Sequence, residues 1–317
     1  MVSVVIPSYR RPQLVQRAVE SVLRQTWRDI EVIVVVDGDN PETQQALALI
    51  EDPRLRVKTL AKSIGCAGAR NAGVAEARGS WIAFLDDDDE WFPTKLASQM
   101  RTAEQYPCAH PIVSCRLIAR SEEGDSVWPR RTPAPGEPIS EYLFCQNGLR
   151  GGDGLVLPST VLTTKELLLQ IPFNADLPRH NDVDWLLRAA LVEGVKIVFV
   201  PDAEPLIVWH IDSNRLRISS SSDWRYSLGW IERSRSQVTP RAYASFLLIW
   251  VSGTAARGKS WKPFWILPWK ALAKGQPGLM DFLAHFVIWL VPSKLRRTIS
   301  VFVDPIKTTK RAQTLGL

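Results

Sequence analysis

Asp86, Asp87, Asp88 and Asp89 stand in a row directly after the apolar run Trp81-Ile82-Ala83-Phe84-Leu85. A short run that is apolar at every residue reads as a strand buried on both faces. Four like charges at its end repel one another and resist desolvation, which shifts pKa values or destabilises a fold unless a cation compensates. Mg²⁺ and Mn²⁺ prefer carboxylate oxygens, so a hard divalent cation is the expected partner. The carboxyl end of a buried strand is also where open α/β sheets bind ligands. The plainer alternative is an acidic, solvated loop, the usual state of a charge run.

The elements that would position this run alternate along the first 90 residues. Val2 to Ile6 reads as a strand stopped by Pro7, and a helix follows from Pro12, with Leu14, Val15, Ala18, Val19, Val22 and Leu23 at helical spacing. Ile30 to Val36 is a second buried strand, Thr43 to Ile50 a helix, and Leu55 to Leu60 a third strand. Gly65 to Arg78 is an Ala-rich helix with Gly79 as its C-terminal cap, and Trp81 to Leu85 is the fourth strand. This β-α-β-α-β-α-β alternation predicts an α/β fold whose mixed, mostly parallel sheet carries flanking helices. Further on, a helix is predicted from Pro93 to Gln105, a strand from Ile112 to Ala119, and a Pro-rich, charged loop from Ser121 to Pro138. Strands are also expected at Leu155 to Thr163, Val195 to Val200 and Leu206 to Trp209, and helices at Lys165 to Gln170 and Asp182 to Glu193.

The net charge of +6 hides an asymmetry. From Arg241 to the end there are 12 Lys+Arg and 2 Asp+Glu, whereas the preceding 240 residues hold 27 basic and 31 acidic groups. That split suggests a near-neutral working domain, 1–222, and a basic helical region, 223–317, that meets something anionic. The apolar stretches Tyr243 to Ala256 and Leu279 to Val291 are shorter than a membrane-spanning helix requires. Trp250, Trp261, Trp265, Trp269 and Trp289 lie among Lys259, Lys262, Lys270, Lys274, Lys294, Arg296 and Arg297. Trp with Lys and Arg around short apolar helices is the pattern of an in-plane membrane anchor. An ordinary helical subdomain packed on a core is the alternative. No nucleic-acid motif accompanies the basic charge, so no nucleic-acid partner is expected. The four cysteines show no C-x-x-C spacing and fit free thiols in a reducing compartment. A strand beginning at Val2 leaves no room for a signal peptide, so the active site is expected in the cytosol, peripheral on the cytoplasmic face of the membrane.

Three segments then resemble one family in order and spacing. They are Val2-Ser3-Val4-Val5-Ile6-Pro7-Ser8-Tyr9-Arg10-Arg11-Pro12, Asp29 to Gly38, and Gly68-Ala69-Arg70-Asn71-Ala72-Gly73 followed by Gly79 to Trp91. Together they resemble family 2 glycosyltransferases of the GT-A fold, over residues 2 to 212. The resemblance implies an inverting enzyme that takes a sugar from a nucleotide sugar, with Mg²⁺ or Mn²⁺ as cofactor. It also implies that Asp37 bonds the base, expected to be uracil, and that Pro7, Ser8 and Tyr9 line the base and ribose pocket. An Asp-Gly turn is the rival reading for Asp37-Gly38. Arg70 would face the nucleotide, its rival being a solvated helix charge. Asp86 and Asp88 match the D-x-D motif, Asp87 being the residue between them in the nucleotide-sugar site. Asp88 would hold the metal, with His210 completing its shell. Asp182 is the candidate general base, although Asp is also a preferred helix cap. His180 and a loop of Arg215, Arg217 and Ser219 to Ser222 are weaker candidates.

Two departures from the family stand out: Gly38 replaces a second acid after Asp37, and Asn181 replaces the Glu of a Glu-Asp pair. No Q-x-x-R-W segment follows, which together with the lack of spanning helices argues for single additions; the expected acceptor is a lipid-linked saccharide or cell-surface glycan precursor. A sugar-1-phosphate nucleotidyltransferase would carry a Gly-rich loop where Pro7-Ser8-Tyr9-Arg10-Arg11 stands. A non-catalytic nucleotide- or membrane-binding module is the remaining alternative.

Overall fold

The Val- and Ile-rich segments at residues 2–8 and 30–36 are β-branched at most positions and flanked by polar turns, so they bury as strands rather than helices. The structure is a computed structural model that describes residues 1–122, 124–146, 152–211, 223–258 and 260–292. The expected Arg215, Arg217, Ser219 to Ser222 loop, and Lys259, Lys294, Arg296 and Arg297, lie outside the described residues. The chain divides into two compact units, Met1–Glu123 with Val156–Asn214, and Gly124–Leu155 with Arg215–Leu317.

In the first unit, β1 (Val2–Ser8), α1 (Pro12–Leu23), β2 (Ile30–Val36), α2 (Pro41–Ala48), β3 (Leu55–Thr59), α3 (Gly65–Glu76) and β4 (Trp81–Phe84) follow the predicted alternation. After them come β5 (Glu90–Trp91), α4 (Lys95–Gln105), β6 (His110–Ser114) and β7 (Leu117–Ser121). The predicted strand from Ile112 to Ala119 is thus two strands, broken at Cys115-Arg116. The Ser121 to Pro138 segment is not all loop: it holds β8 (Gly124–Trp128), a strand of the second unit, which also contains α5 (Ile139–Phe144). The first unit resumes with a 3₁₀ turn at Pro158–Thr160, β9 (Leu162–Thr164), α6 (Lys165–Gln170), α7 (Asn181–Ala189), β10 (Val195–Phe199) and β11 (Ile207–Ile211).

Seven strands form one sheet in the order β10-β6-β9-β4-β1-β2-β3. All neighbours are parallel except β9, which runs antiparallel to both β4 and β6. Because β1, β2 and β4 are parallel and in near register, Ser8, Asp37 and Asp86 arrive at one edge. A smaller sheet sets β11 antiparallel to β5 and parallel to β7.

The helix α3 sits unusually close to this sheet. A Cβ on Gly73 would come within 2.3 Å of Val5 Cγ1, so only glycine lets the helix approach β1 at that distance. Gly73→Ala gains a little helix propensity but forces strand and helix apart. We expect a net loss of about 1–3 kcal/mol in urea unfolding.

Beneath the acid run, Lys95 is fully buried, its Nζ 3.7 Å from the centre of the Trp91 ring and bonded to Gln99 Oε1 at 2.6 Å. Burial pulls its pKa from 10.5 down to about 7. Between those values the folded chain binds fewer protons than the unfolded one, so Lys95 makes stability rise with pH across that window. Lys95→Met should remove that slope and stabilise the protein most at and below pH 7, read as denaturation midpoints from pH 6 to 10.

The second unit is helical: α8 (Trp224–Arg233), α9 (Pro240–Ser245), a π-helical stretch at Phe246–Val251, α10 (Ser252–Ala255), α11 (Lys262–Lys274) and α12 (Leu279–Leu290). The segment around α5 belongs here because Phe144 packs edge-on against Trp230 and Phe246. No helix among the described residues is long and apolar enough to cross a membrane.

Candidate active site

The acid run folds as a tight turn. Asp89 N–H donates to the Asp86 carbonyl at 3.0 Å, and Ser159 Oγ braces it by accepting from Asp86 N–H (3.1 Å) and donating to Asp89 Oδ2 (2.6 Å). This turn sorts the carboxylates. Asp87 and Asp89 are buried, while the side chains of Asp86 and Asp88 keep 33% and 25% of their exposure. Burial pushes Asp87 up to about 6, with Arg11 opposing. Burial, together with the charges of Asp86 and Asp88, raises Asp89 well above the usual carboxylate range. Asp89 Oδ1 is buried without a hydrogen-bond partner among the described residues, while its other oxygen braces the turn through Ser159.

The compensating cations are arginines, and sequence reasoning missed two of them. Arg11 Nη1, just after β1, donates to Asp87 Oδ1 at 2.8 Å and to Asp88 Oδ2 at 3.1 Å. Arg17 on α1 donates to the Asp88 carbonyl at 2.9 Å and pairs with Glu90 at 3.2 Å. A signal was present, since an acid run at a buried strand end demands counter-charge and Arg10-Arg11 follows the neighbouring strand. Ser8, predicted for the pocket, donates from its hydroxyl to Asp87 Oδ2 at 2.8 Å. Pro7 is buried in β1, while Tyr9 is half exposed at the rim with Arg10 stacked over its ring.

Arg70 is no solvated helix charge. Its guanidinium is buried and donates to Asp86 Oδ1 at 2.6 Å and to Asn181 Oδ1 at 3.2 Å, above the Phe173 ring. Burial opposes its charge, but Cys66, Asp86 and Asp182 more than offset this and hold it protonated. One side chain thus joins the end of β4 to the start of α7. Asn181, the departure from the family's acid pair, is a working acceptor in this bond.

Asp182 occupies the first turn of α7 and lines a pocket with Phe84, Val156, Leu157, Phe173 and Trp185. Phe173 meets Phe84 edge-on and stacks on Trp185, giving the pocket an aromatic wall. Burial against it raises the Asp182 pKa, against the pull of the Val183 N–H, which donates to Asp182 Oδ1 at 2.9 Å, and of Arg70. The residue ahead of the helix, His180, sits at φ +64°, and burial with help from Arg179 lowers its pKa to about 4.

Asp37 is buried at the end of β2. Its carboxylate accepts from Ser63 Oγ (2.7 Å), Ile64 N–H (2.7 Å) and Gly65 N–H (3.0 Å), and so anchors the N-terminus of α3. With four lone-pair positions on a carboxylate, one remains for a ligand donor. His210 Nε2 lies 2.8 Å from Glu90 Oε1, which the Arg17 guanidinium also engages, so this ring nitrogen braces the acid turn's exit.

Among the described residues no group of three or more His, Cys, Asp or Glu is arranged to hold a metal. The donor set at Asp86 and Asp88 is nonetheless hard oxygen, part-exposed, at the sheet's ligand edge. Such a set suits Mg²⁺, which commonly takes one or two carboxylates and fills its shell with substrate phosphates and water.

The sequence profile of Glycosyl transferase family 2 matches residues 3–168. The amylovoran biosynthesis glycosyltransferase AmsB of Erwinia amylovora is 28% identical over 248 residues, covering 75% of this chain and 79% of its own. A UDP-Glc:alpha-D-GlcNAc-diphosphoundecaprenol beta-1,3-glucosyltransferase of Escherichia coli, WfaP, is 36% identical over 104 residues, 33% of this chain and 41% of its own. In fold, the chain is similar to S. aureus TarS 1-349 in complex with UDP, with a TM-score of 0.54 at 15% identity over 94% of this chain and 91% of that one. With the acid turn at the carboxyl edge of a GT-A sheet, this chain belongs to glycosyl transferase family 2 and is a glycosyltransferase.

Proposed function

We propose that this glycosyltransferase moves a single sugar, with inversion, from a UDP-linked donor to a hydroxyl of a lipid-linked saccharide or cell-surface glycan precursor. The observation that carries the reading is Arg70, which holds a donor-side carboxylate, Asp86, and the base-bearing start of α7 at one guanidinium. The names of AmsB and of WfaP support the acceptor class. The reaction takes place at the cytoplasmic face of a membrane.

In this reading Pro7, Ser8, Tyr9 and the remaining lone pair of Asp37 receive the base and ribose. Asp86 faces the sugar nucleotide, and buried Asp87 fixes the Ser8 loop beneath it. Asp88, with Asp86, would hold Mg²⁺ or Mn²⁺, which when bound supplies Lewis-acid neutralisation of the departing diphosphate. Arg11, beside Asp88, adds fixed positive charge at the same edge.

The acceptor hydroxyl reaches the pocket along the aromatic wall. Asp182 takes its proton as the oxygen attacks the anomeric carbon from the face opposite the diphosphate. The new C–O bond forms as the bond to the diphosphate breaks, and the nucleoside diphosphate leaves with that electron pair. A base whose pKa is raised by burial binds the transferred proton more firmly than an ordinary carboxylate.

Purified protein should release UDP from a UDP-sugar only with Mg²⁺ or Mn²⁺, and chelation should abolish this. Asp88→Ala and Asp182→Asn should each lower kcat/KM by about 10²- to 10⁴-fold without changing the melting temperature greatly. Full activity in both variants, or a product that keeps the donor's anomeric configuration, refutes the assignment.

The pH profile gives an independent check. Asp182 acts only when ionised, so kcat/KM should fall on the acid side through an apparent pKa above the ordinary 3.8 of aspartate. In Asp182→Asn the residual rate should lose this limb.

A further inference from the structure

α11 has two apolar faces, of which one is buried, and α12 turns its apolar face outward. Phe264, Leu267 and Ala271 of α11 are buried, whereas Trp265, Trp269 and Leu272 stand out on its other side, the two indoles 73% and 74% exposed. On α12, Leu279, Leu283, Phe286, Val287 and Leu290 are exposed at helical spacing. The polar residues of that helix point the other way. Asp281 accepts from Ser245 Oγ (2.7 Å) and Gly278 N–H (2.7 Å), and His285 bridges Ser252 Oγ (2.7 Å) and the Phe264 carbonyl (3.1 Å). Trp289 Nε1 donates to the same Ser252 hydroxyl at 2.7 Å. These bonds fix the rotation of α12 and so fix which stripe faces out. Ring contacts Trp261–Trp289 and Phe264–Phe286 join the helices along a seam, making the two stripes one surface.

We propose that this two-helix platform docks in the plane of an anionic lipid bilayer, with Trp265 and Trp269 as its deepest anchors. The inference deepens the membrane-side reading above and rests on it for the acceptor's location, though not on the site residues. Charge selects the occupant. Beyond Arg241 the described residues carry Arg257, Lys262, Lys270 and Lys274, and their one carboxylate, Asp281, is buried. Glu232 of α8 pairs with Lys270 (2.9 Å) and Lys274 (3.2 Å), and with it counted these four cations still outnumber the carboxylates, Glu232 and Asp281, by two. Indole rings suit the headgroup boundary of an anionic surface. A two-fold contact with a second copy would set these same lysines against each other. A helix pair of this kind lies in the interface instead of crossing it, in keeping with helices of 13 and 12 residues.

The test is flotation of the full chain with vesicles of phosphatidylcholine, alone or mixed with phosphatidylglycerol. Binding should rise with the anionic lipid and fall with salt. Trp265→Glu with Trp269→Glu should weaken binding by about tenfold or more, since two anchors are lost and like charge is added. Leu169→Glu, at an exposed apolar site in the first unit, should change nothing. Near-UV circular dichroism checks that the double variant is folded, and UDP release with a soluble acceptor, measured on the same samples, should be unaltered. Equal vesicle binding by parent and double variant overturns the proposal. So does a parent that ignores vesicles and forms dimers that the double variant loses, which gives the surface to a second copy. Vesicle binding without any transfer would instead sink the functional reading and leave the docking surface standing.

Discussion

The buried Arg70 guanidinium is the interaction on which the site depends. It lies on α3, a helix pressed onto β1 through Gly73, and it reaches Asp86 at the end of β4 and Asn181 at the start of α7. A charged group in such surroundings is stable only while its partners stay in place, because removing one leaves an uncompensated buried charge. The same constraint therefore fixes where the donor-side carboxylate stands and where the helix bearing Asp182 begins. Asp37 secures the other end of the arrangement by holding the amino end of α3.

The carboxylate run shows how a fold tolerates concentrated charge. The tight turn points alternate residues inward and outward. Inward, Asp87 is met by Ser8 and Arg11, and Asp89 by Ser159, its pKa raised well above the usual carboxylate range by burial and by the charges of Asp86 and Asp88. Outward, Asp86 and Asp88 meet arginines on one side and keep exposure on the other. The protein thus neutralises much of the run with its own side chains, leaving two oxygen donors facing the ligand edge.

Much of the fold was legible because its strands are apolar runs and its first helices have clean periodicity. The acid turn, Asp37 and Asp182 could be singled out because each follows or precedes such an element. Less was legible where a residue's role depends on a partner distant in sequence. Nothing near Ser159 marks it as the brace of a turn 70 residues earlier. The resemblance offers His210 as a metal ligand, but its bond to Glu90 was not legible, because only the pairing of β11 with β5 brings those two residues together. The strand at Gly124–Trp128 was hidden in a Pro- and charge-rich stretch whose composition reads as loop.

The reversed strand β9 has a separate consequence for how such enzymes diversify. In a wholly parallel sheet every loop at the ligand edge follows a strand and leads into a crossover helix. Here the chain enters β9 from that edge, so the segment just before it, with Val156, Leu157 and Ser159, supplies part of the site. That segment follows Gly124–Leu155 of the second unit instead of a crossover helix. On the proposed function, the nucleotide half of the site and the wall beside Asp182 would thus rest on different connections, so that the acceptor side could vary while the donor side of the sheet stayed as it is.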